Sequence, residues 1–373
     1  MPPFVIDMQR TEDARDVVHR AVQALAEGKL VAFPTETLYG VAASARCPAA
    51  VERVIAATKR PTDWPLTLAV KSADDALDYV PNMSPLASRL ARRCWPGPVT
   101  LVLDADHPDS LLNALPSVVR ERVAPAGAVR MRAPAHRLLQ DVQRMLVGPI
   151  VLAGVRRNVD QEAVTAADVT EFLGDEVQLV LDDGRCRYGQ PSTVVRVTNG
   201  RMSIVRQGVF SESTLRRLSR VVILLVCTGN TCRSPMAEAL TRKLLAERLG
   251  CGVEQVEERG VAVMSAGLSA MFGGRAAPEA IATMAREGLD LASHVSQPLT
   301  EQLVRNADVV LAMTRSHRDA IVSQWPDVAG RAHLLMRDGD DVADPIGCPV
   351  EMYERCAAQL KSGLAPWVES LEI

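Results

Sequence analysis

"VVILLVCTGNTCRSPMAE", residues 221–238, runs six apolar residues into a cysteine and then crowds small and polar residues ahead of an arginine, a serine and a proline. The run Val221–Val226 is built only of valine, isoleucine and leucine, the composition of a strand buried on both faces. Ser234 and Pro235 read as a helix start, with serine as the cap and proline in the first turn. Strand, tight loop and helix in that order open a parallel α/β sheet.

Outward from this stretch the pattern keeps alternating: helix about 235–249, strand about 258–264, helix about 277–288, strand 308–313, helix about 316–324, strand 331–336, helix about 350–362. That order predicts a doubly wound four-stranded parallel sheet over residues 220–373. The polar, basic "FSESTLRRLSR" before it places a domain boundary at 219. Residues 1–219 are less regular. Short apolar strands ("LVAFPT", "LTLAV", "VTLVLD", "PIVLAG", "STVVRV") fall between helical stretches such as 12–27 and 84–94, an α+β pattern with a twisted mixed sheet. The chain is thus expected to be an α/β protein of two domains, without internal repeats.

At 47% hydrophobic and 23% charged residues, the 373-residue chain has apolar material for two cores. No apolar run approaches the roughly 20 residues that span a bilayer, and "MPPFVIDMQR" lacks the pattern of a secretory signal, so a cytoplasmic protein without membrane contact is expected. Eight cysteines without a C-x-x-C pair suit reduced thiols and no metal site. The net charge of −3 divides into +2 before residue 219 and −5 after it, and neither value requires a nucleic-acid partner. Four Trp, four Tyr and five Phe are too few for a base-stacking platform.

In an open parallel sheet, ligands bind beyond the carboxyl ends of the strands, and Cys227 stands at such an end. The loop Thr228, Gly229, Asn230, Thr231, Cys232 with Ser234 would turn successive N–H groups toward one anion at a helix N-terminus. A cysteine in that positive field is placed to attack phosphorus. Arg233 offers a planar fork for two phosphoryl oxygens, and Ser234 could donate to the departing sulfur. The leaving group needs a proton donor. Asp344 in "DVADPIG" is the candidate, with Asp338, Asp340 and Asp341 as rivals. A cysteine and an arginine six apart can also fall together by chance; the strand, the loop composition and the helix around them are what give the spacing meaning. No Walker-type loop occurs.

Residues 221–373 resemble the low-molecular-weight cysteine phosphatases, through "VCTGNTCRSPMAEAL", "SAGL", "SHVSQPLT", "ADVVLAMTRSH" and "VADPIG" in the family's order. The resemblance implies Cys227 as nucleophile, Arg233 as phosphate clamp and Asp344 as general acid, without a cofactor. It further implies that Asn230, Ser234, Ser265 and His294 hold the loop's shape. Thr231 stands where many tyrosine-directed members carry a bulkier aliphatic residue, and Ile346-Gly347 where they often place aromatics. This favours phosphoarginine over phosphotyrosine on a protein substrate. Arsenate reductases share the fold, but this chain has no cysteine between Cys251 and Cys348 to relay a disulfide. Cys232 is either a thiol that protects Cys227 as a disulfide or a small packed residue.

"FPTETLYGVAASA", "KRPTDWPL", "CWPGPVTLVLD", "VRMRAP", "YGQPSTVVRV" and "IVRQG" are weak signals singly. In this order they resemble the YrdC-like threonylcarbamoyl-AMP synthases over about residues 15–218. That family condenses threonine, bicarbonate and ATP, with Mg, into an adenylate used to modify tRNA adenosine, on a twisted, mostly parallel and partly antiparallel sheet with a basic concave surface. The resemblance implies ATP or threonine contacts for Thr35, Arg60, Thr100, Arg132, Ser192 and Arg206. It is incomplete: Trp64 replaces a frequent lysine, and Gly154, Val155 and Arg156 stand where the family has S-A-N. Three classes of function therefore stay in view. They are a cysteine phosphatase fused to a competent or degenerate synthase domain, a bifunctional protein acting mainly as the synthase, and a non-catalytic phosphate- or RNA-binding module.

Overall fold

The computed structural model describes residues 2–61, 64–158 and 161–372. The chain divides into two compact units, the first ending at Leu218 and the second beginning at Ser219. Among the described residues, no helix is long and apolar enough to cross a membrane.

Among the described residues the first unit is one ten-stranded sheet. Its strands are β1 (Phe4–Asp7), β2 (Val31–Phe33), β3 (Gly40–Ser44), β4 (Thr67–Ala69), β5 (Val99–Asp104), β6 (Ala128–Arg132), β7 (Ile150–Gly154), β8 (Leu179–Asp182), β9 (Thr193–Thr198) and β10 (Arg201–Arg206), in the order β1-β8-β2-β3-β7-β4-β6-β5-β9-β10. Helices α1 (Ala14–Ala26) and α2 (Pro48–Ala57) precede α3 (Pro85–Cys94), α4 (Ser117–Val123), α5 (Arg137–Met145), α6 (Ala166–Leu173) and α7 (Glu212–Ser219). Val17, Ala21 and Leu25 of α1 bury against Leu139 and Val142 of α5. A second, larger core packs Val54, Leu90, Val119 and Val169 together with buried strand residues.

The sheet is mixed, as read, but it is not mostly parallel. Among the described residues β1·β8, β2·β8, β4·β6 and β5·β9 pair in parallel, while β2·β3, β3·β7, β4·β7, β5·β6 and β9·β10 are antiparallel. One cause is local: β9 and β10 are joined by Asn199-Gly200, with φ of 50° and 69°, and a two-residue turn of that kind reverses the chain.

The second unit holds β11 (Val221–Cys227), β12 (Val261–Gly267), β13 (Val309–Ala312) and β14 (Ala332–Leu334), all parallel, in the order β12-β11-β13-β14. Its helices are α8 (Arg233–Leu249), α9 (Pro278–Arg286), α10 (Glu301–Asn306), α11 (Arg315–Gln324) and α12 (Val350–Ser370). Alternate residues of β11 feed two cores. Ile223 and Leu225 pack with Met236, Leu240 and Leu360, whereas Leu224 and Val226 pack with Val304, Ile321 and Trp325. This is why the strand reads as an unbroken apolar run.

Two of the boundaries that differ from the reading have a visible local cause. β12 starts at Val261, because Gly260 turns the chain with φ 95°, and it runs on through Ser265 and Ala266. Helix α12 continues past Gly363 and Pro366 to Ser370. Gly363 is a close approach rather than a stop: a Cβ there would fall 2.4 Å from Cδ2 of Leu335. From β11 the chain reaches β12 on one side and β13 on the other, so the carboxyl end of β11 is the point where the strand order reverses. In such sheets the loops diverge at this point, and Cys227 is the last residue of β11 there.

Candidate active site

Cys227 is the last residue of β11 and is 3% exposed. Its Sγ accepts the N–H of Asn230 at 3.3 Å and lies 2.9 Å from Oγ of Ser234. The backbone bends sharply to do this, and Asn230 takes φ 53°, a left-handed conformation that costs a non-glycine residue roughly 1–2 kcal/mol. Four contacts hold it. The side-chain NH2 of Asn230 donates to Oγ of Ser234 and to Oγ of Ser265, each at 2.9 Å; its Oδ1 accepts the N–H of Gln297, and its carbonyl oxygen lies 2.9 Å from Nε2 of His294. The four residues expected to shape the loop do therefore meet. Gly267 lets the loop pass, since a Cβ there would fall 2.5 Å from the oxygen of Thr228.

Ser234 is not the helix cap that its position suggested. Helix α8 starts at Arg233, Cys232 occupies the cap position without a side-chain bond, and the Ser234 hydroxyl is turned to the sulfur and Asn230 instead. The first N–H groups of a 17-residue helix are thus left without a side-chain cap, beside the loop. Such an end carries about half a positive charge.

Arg233 is 5% exposed and both its terminal nitrogens are engaged. Nη2 donates to Oδ2 of Asp344 at 2.5 Å and Nη1 to the carbonyl oxygen of Val342 at 3.3 Å. Among the four candidate aspartates, Asp344 is the one joined to Arg233. Asp341 accepts the N–H of Arg315 and Asp338 that of Asp340.

Residues not singled out from the sequence complete the surroundings. His317 bridges two hydroxyls, with Nε2 2.8 Å from Oγ1 of Thr228 and Nδ1 2.8 Å from Oγ1 of Thr314. Burial, and then the Arg233 guanidinium, hold its pKa below the usual histidine value. Glu238 accepts from Oγ of Ser265 at 2.6 Å, and Oγ1 of Thr231 lies 3.6 Å from Sγ of Cys232. Cys232 also lies 3.5 Å from the Tyr353 hydroxyl, whose pKa is raised by burial and by that thiol. The helical spacing Glu238-x3-Arg242 was the available signal for Glu238. His317 had none beyond its presence in "MTRSH".

In the first unit one cleft is lined by all six residues expected to contact ATP or threonine: Thr35, Arg60, Thr100, Arg132, Ser192 and Arg206. Oγ1 of Thr100 and Oγ of Ser192 are 2.9 Å apart, and Arg206 donates to the Ser192 carbonyl at 2.8 Å. Arg132 is buried in an ion pair with Glu36 at 2.7 Å, and Arg60 donates to the carbonyl of Gly154 at 3.0 Å. Trp64 lies under three guanidinium groups, of Arg60 at 4.9 Å, Arg130 at 5.4 Å and Arg156 at 5.8 Å. The two departures from the family, Trp64 and Arg156, thus touch each other. Burial, with Arg156 and Arg206 nearby, pushes Arg60 down to about 10, and Nε of both Arg60 and Arg206 is buried without a partner. Glu162 is the carboxylate facing this cluster, its pKa raised by burial against the pull of Arg206, Arg60 and Arg156. The cleft carries more positive charge than its own carboxylates balance.

The sequence matches two family models, telomere recombination (Sua5/yciO/yrdC) over residues 23–208 and low molecular weight phosphotyrosine protein phosphatase over residues 222–373. The protein-arginine-phosphatase of Bacillus subtilis (strain 168) is 40% identical over 154 residues, covering 40% of this chain and 96% of that protein. The threonylcarbamoyl-AMP synthase of Homo sapiens is 32% identical over 222 residues, covering 56% of this chain and 74% of that protein. The solved structure of a Pyrococcus abyssi Sua5 variant superposes with a TM-score of 0.52 at 23% identity, over 80% of this chain and 92% of that one, a likeness of fold.

Proposed function

The chain belongs to the low-molecular-weight protein phosphatase family from residue 222 on and to the Sua5/YciO/YrdC family over residues 23–208, and on that premise we propose a cysteine-dependent protein phosphatase fused to a nucleotide-binding domain. The sulfur of Cys227 attacks phosphorus in line with the leaving group. An S–P bond forms as the ester or phosphoramidate bond breaks, and Asp344 gives its proton to the departing oxygen or nitrogen. Water then attacks phosphorus, Asp344 takes its proton, and the S–P bond breaks with Ser234 donating to the leaving sulfur. The N–H groups of the loop and of α8, with Arg233, hold the phosphoryl oxygens throughout.

One observation carries this reading: a sulfur at 3% exposure is given an amide N–H at 3.3 Å and a hydroxyl at 2.9 Å at the head of a helix. A cysteine that merely filled space would need neither. The test is phosphate release from p-nitrophenyl phosphate, which should vanish in Cys227→Ser. Protection of Cys227 from alkylation by phosphate, with no hydrolysis by the wild type, would make the loop a binding module instead.

Phosphoarginine is the favoured substrate. Thr231 supports it, since a small polar side chain beside the phosphate admits the guanidine nitrogen, and so does the name of the Bacillus subtilis relative. Comparing phosphoarginine with phosphotyrosine peptides decides the point; faster turnover of phosphotyrosine overturns it.

The first unit binds ATP, accompanied by Mg, and threonine and bicarbonate are the further reactants of a synthase whose activity is reduced. The unbalanced arginines support nucleotide binding, and Gly154 and Arg156, where serine and asparagine would stand, with Arg156 held over Trp64, support the reduction. Threonine- and bicarbonate-dependent pyrophosphate release from ATP measures it. Release at a full synthase rate would show that the cleft is not degenerate. Neither release nor ATP binding would leave a structural or RNA-contacting role.

A further inference from the structure

In the cleft of the first unit one carboxylate faces guanidinium groups that it does not touch. Ala163 donates its N–H to the carbonyl of Val155 and Arg157 donates to that of Gln161, each at 2.9 Å, so Glu162 stands directly opposite Arg156 across an antiparallel bridge. Opposed residues leave such a ladder on the same side, and opposite charges placed there ordinarily attract. These two stay apart. The guanidinium of Arg156 lies over the Trp64 ring, while Arg60 donates to the carbonyl of Gly154 and Arg206 to Ser192. Among the described residues the Glu162 carboxylate has neither an ion pair nor a hydrogen bond, although the charges of Arg206, Arg60 and Arg156 all act on it. The space they share is a cavity of about 500 Å³, lined in part by Glu162, these arginines, Trp64 and Pro191. Glu36, the other carboxylate nearby, has both oxygens engaged, one by Arg132 at 2.7 Å and one by the N–H of Ala135 at 2.9 Å.

A ligand that fills this gap has to present negative charge to the arginines and positive charge to the carboxylate. A bare triphosphate does the first and is repelled by the second. We propose that Glu162 is a protein ligand for the magnesium ion that accompanies the triphosphate, so that the cleft selects the metal-bound nucleotide over the free one. The proposal rests on the nucleotide-binding reading of the first unit. The donor set fits the ion. Magnesium takes hard oxygen ligands, keeps several of its waters, and is ordinarily held by one or two carboxylates together with substrate phosphates. Among the described residues no group of three or more His, Cys, Asp or Glu side chains could hold a metal by itself, so a single uncommitted carboxylate beside phosphate-binding arginines suits a metal that enters on the phosphates. A carboxylate that only kept the arginines apart would pair with one of them, and Glu162 does not.

The experiment titrates the full chain by calorimetry with ATP and with inorganic triphosphate, each in EDTA and in excess Mg²⁺, as wild type, Glu162→Gln, Glu162→Ala and Glu162→Asp. It reads binding without any turnover, and triphosphate, which has no ammonium group and no base, reads the metal free of threonine and adenine. Magnesium cancels part of the phosphate charge, so a cleft of arginines alone would bind the metal-bound ligand more weakly. Wild type is expected to bind it more tightly. In EDTA, Glu162→Gln and Glu162→Ala should bind both ligands more tightly than wild type, because a like charge is gone. The ratio of affinity with magnesium to affinity without it should be at least about fivefold larger in wild type than in these two variants, and Glu162→Asp, which keeps a carboxylate, should retain part of the difference. Ratios that agree within about twofold between wild type and both neutral variants overturn the proposal. So does weaker binding by both neutral variants in EDTA, which would mean that the carboxylate serves only to order the arginines. If wild type binds neither ligand in any arm, the nucleotide-binding reading fails and the proposal with it; binding with an unchanged magnesium dependence fails the proposal alone.

Discussion

Arg233 and Asp344 are joined as an ion pair in which the arginine side chain is 6% exposed and the aspartate side chain 43%. The two residues assigned opposite tasks, holding phosphate and delivering a proton, thus occupy each other, and the aspartate is the partner with room to move. On the proposed mechanism a phosphoryl dianion at the loop would compete for the same guanidinium, and Asp344 would be freed toward the leaving group as Arg233 changed partner.

This exchange separates two roles for Asp344. Asp344→Asn keeps an oxygen for Arg233 but has no proton to give. Loss of a general acid costs typically about 10²–10⁴-fold, and it should cost most where the leaving group is most basic. Turnover of a phosphoarginine peptide is expected to fall by that order, and turnover of p-nitrophenyl phosphate, whose phenolate leaves readily, by much less. Equal losses on both substrates would mean that Asp344 does not supply the proton of the leaving group.

Asn230 is expected to matter more for turnover than its distance from solvent suggests. In Asn230→Asp an oxygen replaces the NH2, so Ser234 and Ser265 must both turn their protons toward it, and the sulfur loses its donor. Hydrolysis of p-nitrophenyl phosphate should fall at least about tenfold, while the Gln297 N–H keeps its acceptor. In Asn230→Ala that N–H is orphaned as well, at about 1–3 kcal/mol. Denaturant unfolding should therefore separate the variants, with Asn230→Ala the less stable. The reverse order would sink the account of the loop.

The second unit was legible because its strands are buried on both faces and alternate with helices, so composition alone locates Val221–Cys227 and, through it, the cysteine at the sheet's switch point. The first unit was harder for a physical reason. β1 and β10 are edge strands with largely exposed or alternating residues, and β3, "GVAAS", carries side chains too small to look apolar. β6 was noticed as the motif around Arg130 and Arg132 and not as a strand. Asn199-Gly200 was a hairpin signal within reach of the sequence. Site residues that come from separate elements through hydrogen bonding, such as Glu238, Gln297 and His317, leave no local pattern.

His317 gives the second unit a pH dependence of definite sign. Burial comes first and the Arg233 guanidinium second in holding its folded pKa below the ordinary 6.5, against the weaker pull of Asp344 and Asp341. Between those two values the unfolded chain binds the proton that the folded one refuses, so stability is fullest above pH 6.5 and is lost as pH falls through the folded value. Unfolding of the His317→Gln chain should lose less stability than wild type on going from pH 7 to about pH 5. A parallel loss in both would show that His317 is not the group responsible.

The first unit offers a test in which sequence departures are reversed. Arg156 lies over Trp64 together with Arg60 and Arg130, so the position that would supply an asparagine to a triphosphate supplies instead a guanidinium already engaged with an aromatic face. Cation–π contacts of this kind are worth about 0.5–2 kcal/mol each, enough to hold Arg156 but not to forbid an anion from drawing it away. Anion binding should therefore persist while orientation suffers. Arg206→Ala, removing a guanidinium whose Nε has no partner, should weaken ATP binding at least about tenfold by calorimetry, as expected for a charge-assisted contact. The triple change Gly154→Ser, Val155→Ala, Arg156→Asn should raise threonine-dependent pyrophosphate release while weakening ATP binding, since it restores the polar ligands and removes a charge. If that variant releases no more pyrophosphate than wild type, the replaced loop is not what limits the chemistry. If it binds ATP more tightly, Arg156 was blocking the cleft and not serving it.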